Sequence, residues 1–132
     1  KYNQKFPSRV VFGKTTANKT EFYDVSKAKV VCDLNGRLLY SSRAGIPIDS
    51  QGKFVSAQRA IWIYAFTKND LKKYYLHKNQ TPLEKIEDNE IIRFSEIGIP
   101  VYCVDVIGDS WAVDEKKDLN IVEKLIVERN IK

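Results

Sequence analysis

The sequence holds one histidine and two cysteines in 132 residues. The thiols, Cys32 and Cys103, are far apart and there is no C-x-x-C pair, so no Cys/His zinc site can be assembled from them. A lone histidine, His77, and the lack of a Gly-x-Ser-x-Gly elbow speak against a hydrolase triad. His77 closes a polar segment and reads as a solvated side chain. Neither G-x-G-x-x-G nor G-x-x-x-x-G-K-[ST] occurs, so the familiar phosphate-cradling loops are missing. No stretch reaches the roughly 20 apolar residues of a membrane span. The N-terminus lacks the apolar run of a secretory signal. The chain opens on Lys1 and not Met, which raises the expectation that it is processed, excised or the remainder of something longer.

What is present suffices for one packed core: 43% of the residues are hydrophobic, with no need for disulfide or metal staples. Both cysteines sit in β-branched apolar runs, where cysteine behaves as a small buried hydrophobe. A reducing cytoplasm is therefore expected. The net charge of +5 is uneven. Residues 1–20 carry Lys1, Lys5, Arg9, Lys14 and Lys19 without one acid, whereas the remaining 17 bases balance 17 acids. Such an arm can bind nucleic acid. No aromatic–basic interleaving or zinc-finger spacing supports that, and residues 1–26 read as a solvated basic lead-in.

Along the chain, Lys29–Cys32 and Arg37–Ser42 flank Asp33-Leu34-Asn35-Gly36, the chemistry of a tight hairpin turn. Ala44–Lys53 reads as an exposed connection, rich in Gly, Pro and small polar residues. Ala60–Phe66 is a strand, Thr67–Asp70 a helix entry and Leu71–His77 a short helix. Thr81-Pro82-Leu83-Glu84 combines a Thr cap, Pro at the first helical position and Glu at the third. This predicts a helix to about Ile97, ended by Gly98. Val101–Ile107 is a further strand and Lys116–Arg129 a closing amphipathic helix. Strands separated by helices define an α/β layered fold.

Three sites stand out chemically. On a helical wheel of roughly 100° per residue, Leu83, Ile86, Phe94 and Ile97 share one face. Glu90 falls in the middle of that face and Glu87 at its edge. A carboxylate there must be paired, with Arg43 or Arg93 for instance, be neutralised, or border a polar cavity. Asp114 precedes the last helix, where it either caps free amides or sits at the sheet's ligand-binding edge. Arg43 ends a strand before the Gly45–Pro47 turn, able to grip a carboxylate or phosphate or simply to lie in a surface loop.

Several stretches resemble the 3-deoxy-manno-octulosonate cytidylyltransferases, the CMP-KDO synthetases. They are Lys29–Pro47 (KVVCDLNGRLLYSSRAGIP), Ile63-Tyr64-Ala65-Phe66, and Thr81–Gly98. Within the last, Thr81–Asp88 (TPLEKIED) and Glu90–Phe94 (EIIRF) are the most specific. Ala112-Val113-Asp114 followed by Asp118-Leu119 is similar to the family's closing motif. The resemblance runs over about residues 27–127, in order and in register.

It implies the C-terminal part of a Rossmann-like nucleotidyltransferase fold, a mixed sheet with flanking helices, in which residues 27–132 are the sugar-binding and dimerisation half. The implied reaction joins CMP from CTP to an acidic, KDO-like sugar and releases pyrophosphate, as in nucleotide-sugar and lipopolysaccharide biosynthesis, with Mg2+ assistance. Positioning and charge neutralisation carry such chemistry, so no side-chain nucleophile is needed. Asp114 corresponds to a catalytic, magnesium-binding aspartate. Glu90 corresponds to a sugar-binding acid with Glu87 beside it, and Tyr64 and Arg43 to positions lining or supporting the sugar site. Gly45–Phe54 corresponds to the segment through which these enzymes form homodimers. Two positions depart from the pattern: Ala60 stands for a histidine and Ile91 for a glutamine of the sugar pocket, pointing to a related sugar acid. The family's CTP-binding half would precede these residues. The competing reading is a non-catalytic domain that keeps the fold for assembly or regulation.

Overall fold

The structure, a computed structural model, describes residues 10–107, 113 and 116–128. The elements run β1 (Val10–Ala17), α1 (Lys19–Tyr23), β2 (Lys29–Cys32), β3 (Leu38–Ser42), β4 (Ala57–Ala65), α2 (Lys68–Leu76), α3 (Pro82–Glu87), α4 (Ile91–Glu96), β5 (Val101–Asp105) and α5 (Lys116–Glu128). The strands form one mixed sheet in the order β3-β2-β4-β1-β5. Among the described residues only the β1–β5 pairing is parallel. The expected mixed sheet with flanking helices is found. No helix among the described residues is long and apolar enough to cross a membrane.

The alternation of side chains along a strand explains the core. Val10 and Phe12 of β1, Val30 of β2, and Val101 and Cys103 of β5 turn to one face. There they meet Ile91, Ile92 and Phe94 of α4 in a single buried cluster. Burying each of these large side chains contributes about 1.5–3 kcal/mol. A smaller cluster gathers Phe22 of α1 with Ala17, Ala57 and Phe54. The hairpin forms as expected, with Gly36 at φ 80° closing its turn. Its tip curls onto the far edge of the sheet, where the Cys103 amide donates to the Gly36 carbonyl at 2.7 Å.

Two expectations fail. The part of the expected lead-in that lies among the described residues, 10–26, is not solvated chain, because Val10–Ala17 is an inner strand, hydrogen-bonded on both sides. Lys14, counted among the free arm charges, is only 8% exposed and pairs with Asp105 at 2.7 Å. The charge pattern hid a β-branched apolar strand. Nor is 82–97 one helix. Asp88 adopts the left-handed conformation (φ 46°) that Asp and Asn tolerate better than most side chains, and the chain restarts at α4. Both starts read from capping residues hold: Thr67 and Thr81 each make a capping box, with Asp70 and Glu84.

Candidate functional site

The break at Asp88–Glu90 builds the site. Because the helix stops and restarts, the wheel that placed Glu90 on a buried stripe with Leu83 and Ile86 no longer applies. Leu83 is 39% and Ile86 76% exposed. Glu90 itself is exposed at the N-cap of α4. The buried carboxylate of this region is Glu84, whose place in the sequence signals only the third position of a capped helix start. Glu84 is 2% exposed and is gripped by both Nε and Nη2 of Arg93, whose guanidinium lies 4.1 Å over the Tyr74 ring.

Glu90 is held from the sheet. The Tyr64 hydroxyl, on β4, donates to its Oε1 at 2.5 Å. Tyr64 is positioned by stacking on Phe12, ring centroids 5.2 Å apart. A bulge in β4 brings it there: Phe12 faces Tyr64 while Gly13 faces Ile61, leaving Trp62 and Ile63 without partners on β1. Gly13 is required at the bulge, since a Cβ would lie 2.9 Å from the Ile61 carbonyl oxygen. Burial, reinforced by the Glu90 hydrogen bond and charge, pushes the Tyr64 phenol far above its ordinary range. Tyr64 is therefore a permanent donor at physiological pH. Among the described residues no donor reaches the second oxygen of Glu90, which stays available to a ligand.

Glu87 and Arg43 are brought together, but facing inward. Glu87 Oε1 accepts from Ser42 Oγ (2.7 Å) and the Tyr40 hydroxyl (3.1 Å), and Oε2 accepts from the Arg43 amide (2.8 Å). Burial raises the Glu87 pKa, yet these donors and the Arg43 charge outweigh it, so the carboxyl lies below its ordinary value. Arg43 donates to the carbonyls of Glu87, Asp88 and Val25 and lies 3.5 Å from the Asp88 carboxylate. Three of its five N–H groups, one each from Nε, Nη1 and Nη2, donate to these carbonyls, so the guanidinium is engaged on every nitrogen within the protein. Arg43 fastens the C-terminal carbonyls of α3 to the end of β3, a favourable place for a cation.

Asn89 completes the joint and was missed. It is 2% exposed and donates to Ser41 Oγ at 2.9 Å. The adjacent Asp88-Asn89 pair, both helix-interrupting side chains, was the available signal. Ala60 and Ile91, where the resemblance expects His and Gln, are 6% and 0% exposed in the main core cluster, so their apolar character fits the packing around them. Asp114, the expected metal ligand, lies outside the described residues. Among the described residues no group of three His, Cys, Asp or Glu gathers to hold a metal ion.

No protein-family model matches the chain. Sequence comparison finds 3-deoxy-manno-octulosonate cytidylyltransferases. The enzyme of Acidobacterium capsulatum is 34% identical over 113 residues, covering 85% of this chain and 46% of the relative. That of Fusobacterium nucleatum is 35% identical over 115 residues, covering 87% and 46%, and that of Chlamydia caviae 36% over 111, covering 84% and 43%. The fold matches a solved CMP:2-keto-3-deoxy-manno-octonic acid synthetase complexed with CTP at a TM-score of 0.86 and 23% identity. That match covers 97% of this chain and 53% of the other. The chain thus spans about half the length of the curated relatives it matches. Its sequence and its α/β nucleotidyltransferase fold agree, and the chain belongs to the 3-deoxy-manno-octulosonate cytidylyltransferase family.

Proposed function

We propose that the chain supplies the sugar-acid side of a cytidylyltransferase, an enzyme that transfers CMP from CTP to a KDO-like acidic sugar and releases pyrophosphate. The observation that carries this reading is the exposed Glu90 carboxylate, fixed by Tyr64 on one oxygen and open on the other. An ionised carboxylate only accepts hydrogen bonds, so Glu90 recognises hydroxyl groups of the sugar and not its carboxylate. Glu87 and Arg43 act behind it, bracing the joint from which Glu90 projects. CTP as co-substrate belongs to the same reading by way of the solved synthetase complexed with CTP, and magnesium at Asp114 by way of the sequence resemblance alone. When bound, the cation would neutralise phosphate charge. Homodimer formation through Gly45–Phe54 is part of it as well. So is a cytoplasmic location, which two free thiols fit.

The test is pyrophosphate release from CTP and Mg2+ with a panel of sugar acids, using the protein as natively expressed. Turnover with one of them, weakened by Glu90→Gln mainly through KM for the sugar, supports the assignment. Absence of turnover with every acid would turn the interpretation to a non-catalytic assembly domain. Light scattering of the same sample tests the dimer.

A further inference from the structure

Cys32 and Cys103 lie on β2 and β5, at opposite ends of the sequence but brought together where the hairpin tip folds onto the sheet edge. Each thiol shifts the ionisation of the other, so the two side chains are neighbours. Cys103 is 4% exposed and part of the main core cluster, with Cys32 packed against that cluster. Cys32 is partly exposed and lines an open groove of about 320 Å³ together with Thr16, Val31, Pro47 and Gln58. Cys32 is the more accessible of the two residues, and Cys103 lies deeper in the core. Nothing in the sugar-site geometry uses either thiol.

We propose that this pair is a redox-modification site, in which a peroxide oxidises Cys32 and Cys103 closes the product to an intrachain disulfide. In the first step the Cys32 thiolate attacks one oxygen of hydrogen peroxide. A sulfur–oxygen bond forms, the O–O bond breaks and hydroxide leaves, giving the sulfenic acid. In the second step the Cys103 sulfur attacks the Cys32 sulfur, displacing the sulfenic oxygen. The Cys103 proton leaves with that oxygen, as water. Two thiols are oxidised by two electrons and one peroxide is reduced. The division of labour agrees with the environment. Interaction with the Cys103 thiol, aided by the nearby Lys14 charge, holds the Cys32 thiol below its ordinary pKa despite burial. The Cys103 thiol is pushed up, first by its interaction with the Cys32 thiol and then by burial. Low-pKa, accessible thiols beside a resolving partner are the ones peroxide selects.

The experiment treats the reduced, folded chain with graded hydrogen peroxide, then alkylates remaining thiols and reads intact mass. Both alkylation sites should vanish together, with the loss of two hydrogens and full recovery by dithiothreitol. Peptide mapping should give a Cys32–Cys103 link within one chain. Cys103→Ser should stop at a Cys32 sulfenic acid trapped by dimedone, and Cys103→Ala gives the same reading should the serine variant fold poorly. Cys32→Ser should leave Cys103 reduced. Sulfinic acid without a cross-link, a disulfide between chains, or a folded chain inert at doses that oxidise it in urea would each overturn the assignment.

Discussion

Tyr64 on β4 and Glu90 at the head of α4 are joined by a 2.5 Å hydrogen bond across 26 residues of sequence, the sole link of the Glu90 carboxylate to the sheet among the described residues. Replacing Tyr64 by Phe keeps the ring stacked on Phe12 but frees Glu90 to rotate. Sugar binding should weaken roughly tenfold, about 1.4 kcal/mol. Stability should fall by only ~1 kcal/mol, the typical worth of one hydrogen bond. Calorimetric titration with the sugar, beside a melting curve, separates the two. A large stability loss with unchanged affinity would remove Tyr64 from the binding role.

Asn89 offers a second test, because it holds the joint without reaching the ligand. Asn89→Ala leaves Ser41 Oγ short of its buried donor. The expected cost is about 1–3 kcal/mol. If the joint aims Glu90, KM for the sugar should rise while kcat changes little. Asn89→Asp, which cannot donate from that side chain when ionised, should behave like the alanine variant.

How far the sequence disclosed this arrangement depends on which force decided each element. Thr67, Thr81 and Gly98 act locally, through capping hydrogen bonds and a positive φ of 78°, and the boundaries they mark were legible. The hairpin of Lys29–Ser42 was legible for the same reason. β1 was not, because Lys14 carries a charge that only a distant partner, Asp105 on β5, makes tolerable inside the sheet. Glu90 does not lie on a buried apolar stripe, because that stripe depends on a helix that Asp88 and Asn89 interrupt. Exchanging which glutamate is buried, Glu84 for Glu90, depended on Arg93 and Tyr74 meeting from separate elements. No periodicity encodes that.

Gly13 at the β4 bulge makes a steric prediction. A methyl group there meets the Ile61 backbone carbonyl at 2.9 Å and Val106 Cγ2 at 3.0 Å, and the backbone oxygen cannot swing aside. Gly13→Ala should destabilise by about 1–3 kcal/mol, the usual cost of overpacking. Gly52→Ala, with nothing within 4 Å but a φ of +76°, should cost less, about 1 kcal/mol from strain alone. Urea titration of both variants checks the order. The reverse order would mean the bulge relaxes freely.

The Glu84–Arg93 ion pair is the most deeply buried one among the described residues. Its side chains are 3% and 12% exposed. Removing one partner by Arg93→Met strands a buried carboxylate and should cost on the order of 3–5 kcal/mol, while Glu84→Leu with Arg93→Met should recover most of it. The same pair shapes the acid limb. Burial pulls the Glu84 pKa up, but the Arg93 hydrogen bonds, the Thr81 amide and the Arg93 charge outweigh it, leaving the carboxyl below its ordinary 4.5. Glu87 is likewise held below 4.5. A group depressed in the folded state contributes its stability in full above the unfolded pKa and loses it as pH falls through the folded one. Stability should therefore be flat near neutrality and drop below about 4.5, with a shallower drop in Glu87→Gln. Urea unfolding from neutral pH to about 3 measures this. An unchanged acid limb in Glu87→Gln would show that its three hydrogen bonds do not hold the joint.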